Sequence, residues 1–228
     1  MTDSTPPPAV ATSAIPASPS ATDYLQDDTP RDLSWIDAPD PVALFGTWLA
    51  RAGETEPNDP NALSLATVDA GGQPDVRIVL LKGVSDAGFD FYTNSESAKG
   101  RQLGEVPRAA LCFHWKSLRR QVRVRGRVEE VGAEASDVYY RSRARGSRLS
   151  AWASKQSHPA EDRDELVAAM EAVERRFEGR DVPRPEHWYG YRVVPDAVEF
   201  WQDGAFRLHD RLLFTRAGDG WERTRLYP

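Results

Sequence analysis

Apolar and polar residues alternate with a period of two through the middle of the chain and again near its C-terminal end, a pattern typical of β-strands. It predicts strands over residues 63–68, 76–82, 88–93, 109–115 and 119–131, then over 189–194, 197–202, 207–216 and 221–225. The turn-forming residues 69–74 separate the first two strands and predict a hairpin-like connection.

Apolar side chains at spacings of three and four residues predict helices between these strands. The helical segments are 40–53, 97–105, 134–143 and 162–177. Within the last segment the apolar stripe is expected to pack in the core, and its members are Leu166, Met170, Val173 and Phe177.

Short strands with a few helical excursions predict a fold that is mainly β with peripheral helices (α+β), an antiparallel barrel and not a βαβ sheet. The chain lacks the glycine fingerprint of a dinucleotide-binding turn and lacks a phosphate-binding loop, so side chains have to hold any phosphate. Residues 1–22, rich in Pro, Ala, Ser and Thr, are expected to form a disordered tail, and residues 23–228 a single domain.

Charge and cysteine content narrow the classes of function. The net charge of -6 argues against a general nucleic-acid-binding protein. Cys112 is the only cysteine and lies in an apolar run, so no internal disulfide is possible and a reducing cytoplasm is the expected compartment. No apolar run reaches the length of a membrane span, and we expect neither a signal peptide nor membrane association.

Residues 198–211 carry the most informative chemistry. If residues 207–211 are extended, alternation places Arg207, His209 and Arg211 on one face. Such a face suits an anion beside a flat ring, because guanidinium groups bind phosphate, imidazole exchanges protons near neutrality, and Trp201 offers a stacking surface. The alternative is a sheet edge kept soluble by charge. Spacing alone does not decide between a ligand site and such an edge.

Three blocks of this sequence resemble the pyridoxine/pyridoxamine 5'-phosphate oxidase family. They are Val-Glu-Phe-Trp-Gln at 198–202 followed by Arg-Leu-His-Asp-Arg at 207–211, Arg-Ile-Val-Leu-Leu-Lys at 77–82 followed by Phe-Tyr-Thr-Asn at 91–94, and Trp-Ala-Ser-Lys-Gln-Ser at 152–157. The blocks keep the family's order from about residue 40 to the C-terminus. The resemblance implies an FMN-binding split β-barrel that works as a homodimer, with FMN in the subunit interface.

The resemblance also implies the site residues. For FMN they are Arg77, Ile78, Val79, Leu80, Leu81, Lys82, Tyr92, Thr93, Lys99, Gln121, Gln156, Ser157, Trp201 and Arg211. For the substrate they are Lys82, Tyr139, Arg143, Ser147, Arg207, Leu208 and His209, and no metal site is implied.

The implied reaction oxidises pyridoxine or pyridoxamine 5'-phosphate to pyridoxal 5'-phosphate, with O2 as the acceptor and H2O2 as the by-product. Arg207 and His209 are the implied catalytic residues. Arg207 would orient the substrate and stabilise charge near the reacting carbon, and His209 would hydrogen-bond the substrate or handle a proton.

Three positions depart from the family's pattern. Ala98 stands where most relatives have arginine before Lys99, and Arg101, on the same predicted helix, is expected to compensate in part. The basic segment that closes over the substrate in relatives is replaced by residues 21–28, in which Tyr24 is the one residue in common. Tyr189 replaces a usual glycine, which a strand should tolerate.

Two other functions stay open at this stage. One is a related split-barrel flavin oxidase with another substrate, of the phenazine-pathway type. The other is a non-catalytic protein that binds flavin or pyridoxal phosphate, for which Ala98 and the altered segment would be signs of lost activity.

Overall fold

The structure is a computed structural model that describes Ser20, Thr22 and residues 32–228. Apart from those first two positions, the predicted tail and the altered segment 21–28 lie outside the described residues. The helices are α1 (Pro41–Thr55), α2 (Ala98–Glu105), α3 (Ala133–Ser142), α4 (Arg145–Ala153) and α5 (Arg163–Arg176), with 3-10 turns at Ser34–Asp37 and Ala205–Arg207. No described helix has the length and apolar character needed to cross a bilayer.

In residues 32–228, nine strands form one sheet in which every pairing is antiparallel. They are β1 (Ala62–Val68), β2 (Pro74–Leu80), β3 (Gly83–Ser85), β4 (Gly88–Asn94), β5 (Arg108–Trp115), β6 (Arg120–Glu130), β7 (Trp188–Gln202), β8 (Asp210–Ala217) and β9 (Gly220–Arg225). The order is β2-β1-β5-β6-β7-β4-β3, and β8 and β9 extend from β7. The predicted antiparallel split-barrel class is confirmed.

Helix α1 fills the inside of the curled sheet with aromatic side chains. It begins where the Asp40 carboxylate accepts a hydrogen bond from the Ala43 amide at 2.7 Å, with Pro41 in the first turn. Phe45 is fully buried and meets Phe89 edge-on, with the ring centroids 5.0 Å apart. Trp48, one turn later, meets Phe200 of β7 in the same manner at 5.1 Å.

Strand β7 is one continuous strand of 15 residues, although two strands were predicted there. Pro195 interrupts the sequence pattern because proline has no amide proton to donate to a neighbouring strand. The structure accommodates it with a register shift between Arg125 and Gly126 on β6. Gly126 is essential at this bulge, because a Cβ atom there would lie 1.9 Å from the Val194 carbonyl oxygen.

The prediction that the apolar stripe of α5 packs in the core is only partly confirmed. Leu166 is 47% exposed, so the prediction that it packs in the core is wrong. Phe177 is buried, but in a small cluster with Leu149 and Val182 that is separate from the main core. The reason is that α5 packs on α4, a helix that the sequence pattern did not predict.

Substitution of Gly126 tests the bulge. Gly126→Ala is expected to lower the free energy of unfolding by roughly 3 kcal/mol, because the added methyl group overlaps backbone that cannot move without breaking the β6–β7 pairing. Gly46→Ala, in the middle of α1 with no atom near the added Cβ, is the matched control and should stabilise by roughly 0.5–1 kcal/mol. Urea denaturation at fixed protein concentration measures both; equal effects of the two would contradict the account.

Candidate active site

A cleft of about 640 Å³ opens beside β2, the end of β4 and the start of β7. Four cationic side chains line it: Arg77, Lys82, Lys99 and Arg143. No Asp or Glu is among the described residues that form its walls. The cleft is therefore suited to an anionic ligand.

Lys99 is the most deeply placed of these cations, with 8% of its surface exposed. Its Nζ atom lies 3.1 Å from Gln156 Oε1 and 3.4 Å from both Thr93 Oγ1 and Ser97 Oγ, all of them neutral oxygens. Burial lowers the pKa of Lys99, and the nearby charge of Arg77 lowers it further. A buried ammonium group with only neutral partners favours a bound anion.

Arg77 is held by the strand that carries it and by its neighbours. Its guanidinium group pairs with Asp75 on the same strand, contacts Thr67 Oγ1 and donates a hydrogen bond to Gln102 Oε1 at 3.2 Å. These contacts fix the orientation of the group at the cleft wall, and Asp75 balances part of its charge.

Arg143 follows the last residue of α3 and rests on aromatic rings. Its guanidinium carbon lies 4.7 Å from the ring centroid of Trp188 and 5.7 Å from that of Tyr140. The Nη1 atom is buried and has no hydrogen-bond partner within the part of the chain that the structure describes. Burial lowers the pKa of Arg143, so this cation too favours an anion in the cleft.

The donors of the cleft fit the phosphate of the FMN that the resemblance implies. Lys99 offers a buried ammonium group, Arg77 offers an oriented guanidinium group, and Thr93 offers a hydroxyl. Phosphate oxygens accept hydrogen bonds of these kinds, and charge-assisted bonds are the stronger ones. This match concerns binding of the phosphate alone.

Most of the predicted site residues before residue 157 meet in the cleft. They are Arg77, Ile78, Val79, Leu80, Lys82, Tyr92, Thr93, Lys99, Tyr139, Arg143 and Gln156. Leu81, Ser147 and Ser157 do not line it. Leu81 points into the core instead, with 5% of its surface exposed, because side chains alternate along the segment.

Strand β2 carries apolar side chains that face outward. Val76, Ile78 and Leu80 are 62%, 66% and 37% exposed, although an apolar run of this kind would ordinarily form a buried strand. The strand lies at one end of the sheet order, paired with β1 alone. An exposed apolar row on an edge strand is typical of an interaction surface.

A second group of predicted residues lies on the other end of β7. Gln121, Trp201 and Arg211 are direct cross-strand neighbours on β6, β7 and β8, so their side chains share one face of the sheet. None of them lines the cleft. Along one strand, the 13 residue steps from Trp188 to Trp201 correspond to roughly 40 Å.

The conformation of residues 207–211 corrects a prediction. Strand β8 begins at Asp210, and Arg207 lies in a 3-10 turn, so Arg207, His209 and Arg211 do not share a strand face. Phe206 and Arg207 adopt φ values of 54° and 65°, in the left-handed region that non-glycine residues rarely occupy. Leu208 is 67% exposed. Strained turns of this kind cluster at functional sites.

His209 lies beside Trp201, with the ring centroids 4.7 Å apart. Its Nδ1 atom is 3.1 Å from the Gly204 amide nitrogen and 3.0 Å from Asp203 Oδ1. The amide donates to an unprotonated Nδ1, whereas the carboxylate accepts from a protonated one. A proton at Nδ1 therefore changes which neighbour holds the ring, and this arrangement is suited to proton handling.

Glu199 is a residue of the second group that sequence reasoning missed. The carboxylate is buried, pairs with Arg123, and accepts a hydrogen bond from Arg211 Nε at 2.9 Å. Arg211 also donates to the Tyr227 carbonyl oxygen at 2.7 Å. The signal in the sequence was a carboxylate between Val198 and Phe200, two residues before Trp201.

The cleft has further walls that the sequence did not indicate. They are formed by Asn94, Ser150, Ala151, Ser154, Leu166, Met170 and Trp188. Several of them come from α4 and α5, whose placement over the cleft depends on tertiary packing and leaves no mark in a local pattern.

The structure places Arg101 outside the cleft, which argues against the expected compensation for Ala98. Arg101 contacts the Glu96 carbonyl oxygen and lines a separate depression with Tyr189 and Tyr191. The helical repeat of about 100° per residue puts Arg101 on nearly the opposite side of α2 from Lys99. Tyr189 is accommodated in β7, as expected, and its ring packs against Tyr191.

Comparison with known proteins accords with this geometry. Residues 50–177 match the family model described as pyridoxamine 5'-phosphate oxidase, and residues 188–228 match the pyridoxine 5'-phosphate oxidase C-terminal dimerisation region. Proteins named pyridoxine/pyridoxamine 5'-phosphate oxidase from Caulobacter vibrioides and Hyphomonas neptunium are 54% and 55% identical. The alignments cover 94% and 96% of this chain and 97% and 100% of those proteins.

Two solved structures share the fold. PhzG from Burkholderia lata, in complex with tetrahydrophenazine-1-carboxylic acid, is 31% identical with a TM-score of 0.81 over 88% of this chain and 98% of its own. An FMN-binding protein from Nostoc punctiforme is 20% identical with a TM-score of 0.66 over 82% of this chain and 96% of its own, a likeness of fold alone. From the match of both family regions and the identity to relatives across almost the whole chain, this protein belongs to the pyridoxamine 5'-phosphate oxidase family.

Proposed function

We propose that this protein is an FMN-dependent oxidase that converts pyridoxine 5'-phosphate or pyridoxamine 5'-phosphate to pyridoxal 5'-phosphate, with O2 as the acceptor and H2O2 as the by-product. The names of relatives that match nearly the whole chain support this assignment. The observation that carries it is the cleft itself, in which buried Lys99 and half-buried Arg143 have no carboxylate partner among the described residues. Phosphate groups would supply the missing negative charge.

FMN, when bound, supplies the two-electron acceptor chemistry and the reaction with O2. On this chain Lys99, Arg77 and Thr93 would hold its phosphate, and the segment from Ile78 to Lys82 would follow the cofactor with its backbone. The other cofactor-binding residues in the proposal are Leu81, Tyr92, Gln121, Gln156, Ser157, Trp201 and Arg211.

The proposal includes a homodimer with FMN in the subunit interface. Its support is the separation of the two groups along β7, together with the family's dimerisation region at residues 188–228. In a symmetric dimer the second group of one subunit can face the cleft of the other. The exposed apolar row on β2 supplies a surface for such contact.

The substrate's phosphate would be held by Lys82, Tyr139, Arg143 and Ser147. Lys82 lies near the Tyr139 ring, with Nζ 6.0 Å from the centroid, so these two groups already face the same space. Arg207, with Leu208 beside it, would orient the substrate from the partner side. His209 would hydrogen-bond the substrate or handle a proton, with Asp203 beside its Nδ1 atom. The proposed compartment is the cytoplasm, which suits a chain with a single cysteine.

The first test is turnover. Purified yellow protein mixed anaerobically with pyridoxine 5'-phosphate is expected to lose its flavin absorbance, regain it in air, and release one H2O2 per pyridoxal 5'-phosphate formed. Absorbance that stays unchanged with this substrate, but falls with a reduced phenazine precursor, would favour the activity suggested by the PhzG likeness. No response to either would favour a non-catalytic binding protein.

A second test separates Lys99 from Arg101. Lys99→Met is expected to weaken FMN binding by roughly 10- to 100-fold, because a charge-assisted phosphate contact of about 1.5–3 kcal/mol is lost. Arg101→Ala, the matched control on the opposite side of α2, should leave FMN affinity within about twofold. Fluorescence titration of the apoprotein with FMN measures both; a large loss for Arg101→Ala would contradict the placement of that residue.

A further inference from the structure

We infer that Trp188 is a positioning residue that holds Arg143 and Tyr139 in the geometry required to grip the substrate's phosphate. The inference rests on the proposed function, because it takes Arg143 and Tyr139 as the phosphate-binding side chains. Neither the family blocks nor the implied site residues include Trp188. It lies at the first position of β7, in the wall of the cleft.

Three rings cluster at this wall, with their planes within 30° of one another. Tyr92 and Tyr139 have centroids 4.2 Å apart and an interplanar angle of 30°, and Trp188 lies 5.5 Å from Tyr92 and 6.0 Å from Tyr139, with interplanar angles of 15° in both cases. Gly190 leaves room for this cluster, since a Cβ atom there would lie 2.7 Å from the Tyr92 ring. Trp188 thus limits the positions that the Tyr139 ring can occupy.

The same indole ring supports Arg143. The guanidinium carbon of Arg143 lies 4.7 Å from the Trp188 ring centroid, nearer than it lies to Tyr140. Because Arg143 Nη1 is buried without a hydrogen-bond partner, the aromatic faces are the groups that offset its desolvation. Without the indole, the guanidinium group of Arg143 would move toward water and away from the phosphate-binding position beside Tyr139.

Trp188 is itself held rigidly. Arg184 Nη1 donates a hydrogen bond to the Trp188 carbonyl oxygen at 2.9 Å, and Arg184 Nε pairs with Asp137 of α3 at 2.5 Å. The Tyr140 ring, also on α3, meets the indole edge-on at 5.1 Å. The start of β7 and the helix that carries Tyr139 and Arg143 are therefore tied together at the backbone and at the side chains.

The test compares Trp188→Leu with Trp188→Phe in the FMN-loaded enzyme. Trp188→Leu is expected to raise the KM for pyridoxine 5'-phosphate and the Kd for inorganic phosphate by the same factor, about 5- to 30-fold. The kcat and the affinity for FMN should each change less than about threefold, and Trp188→Phe, which keeps a ring, should recover most of the loss. In the Arg143→Ala background, Trp188→Leu should have a smaller effect than in the wild type, because only the support of Tyr139 is then left to lose.

Trp221→Leu is the matched control. On the β8–β9 hairpin the guanidinium carbon of Arg216 lies 4.2 Å from the Trp221 ring centroid, and Trp221 does not line the cleft. It should leave the KM and the Kd for phosphate unchanged. Equal losses from Trp188→Leu with and without Arg143 would overturn the inference, as would a loss of FMN affinity as large as the rise in KM.

Calorimetry with inorganic phosphate measures the effect on phosphate binding without turnover. An inactive wild type that binds phosphate through Trp188 and Arg143 would therefore refute the proposed function alone.

Discussion

The length of strand β7 is the constraint on which the proposed site depends. The strand starts at Trp188, in the wall of the cationic cleft, and ends beside Trp201, in the second group of residues. Because an extended chain rises about 3.3 Å per residue, the two ends are roughly 40 Å apart along the strand. Gly126 and the bulge keep the strand continuous past Pro195 and so preserve this separation. Under the proposed function these ends form two half-sites, and a second chain would bring complementary halves together.

The two halves differ in how their positive charge is balanced. In the second group the buried Glu199 carboxylate holds Arg123 and Arg211, and the backbone carbonyl of Tyr227 adds a further acceptor for Arg211. In the cleft, Lys99 has neutral oxygens and Arg143 has aromatic faces. An arginine fixed by a buried carboxylate serves orientation, whereas a cation without one retains its attraction for a ligand. The cleft is accordingly the half that would take the phosphates.

Local patterns predicted much of the fold and part of the site. The strand that carries Arg77 and the helix that places Lys99 both followed from the periodicity of the sequence, since each periodicity is a local property. The turn at Phe206 and Arg207 did not, because left-handed φ values at non-glycine residues are imposed by tertiary packing. Leu166 was wrongly assigned to the core, because helical spacing does not tell which element an apolar stripe will pack against. Arg101 was expected to reach the phosphate from three residues after Ala98, but its side chain contacts the Glu96 carbonyl oxygen, a contact that helical spacing does not reveal.

The most direct test of the shared site is complementation between two variants, Arg143→Ala in the cleft and the exposed Arg207→Ala in the second group. Each variant alone is expected to be nearly inactive toward pyridoxine 5'-phosphate. After co-expression or subunit exchange the mixture should regain about a quarter of wild-type activity, because half of the statistical dimers are mixed and each mixed dimer has one intact site. A mixture that stays at the average of its two inactive parents would show that both halves of each site belong to one chain, which contradicts the account.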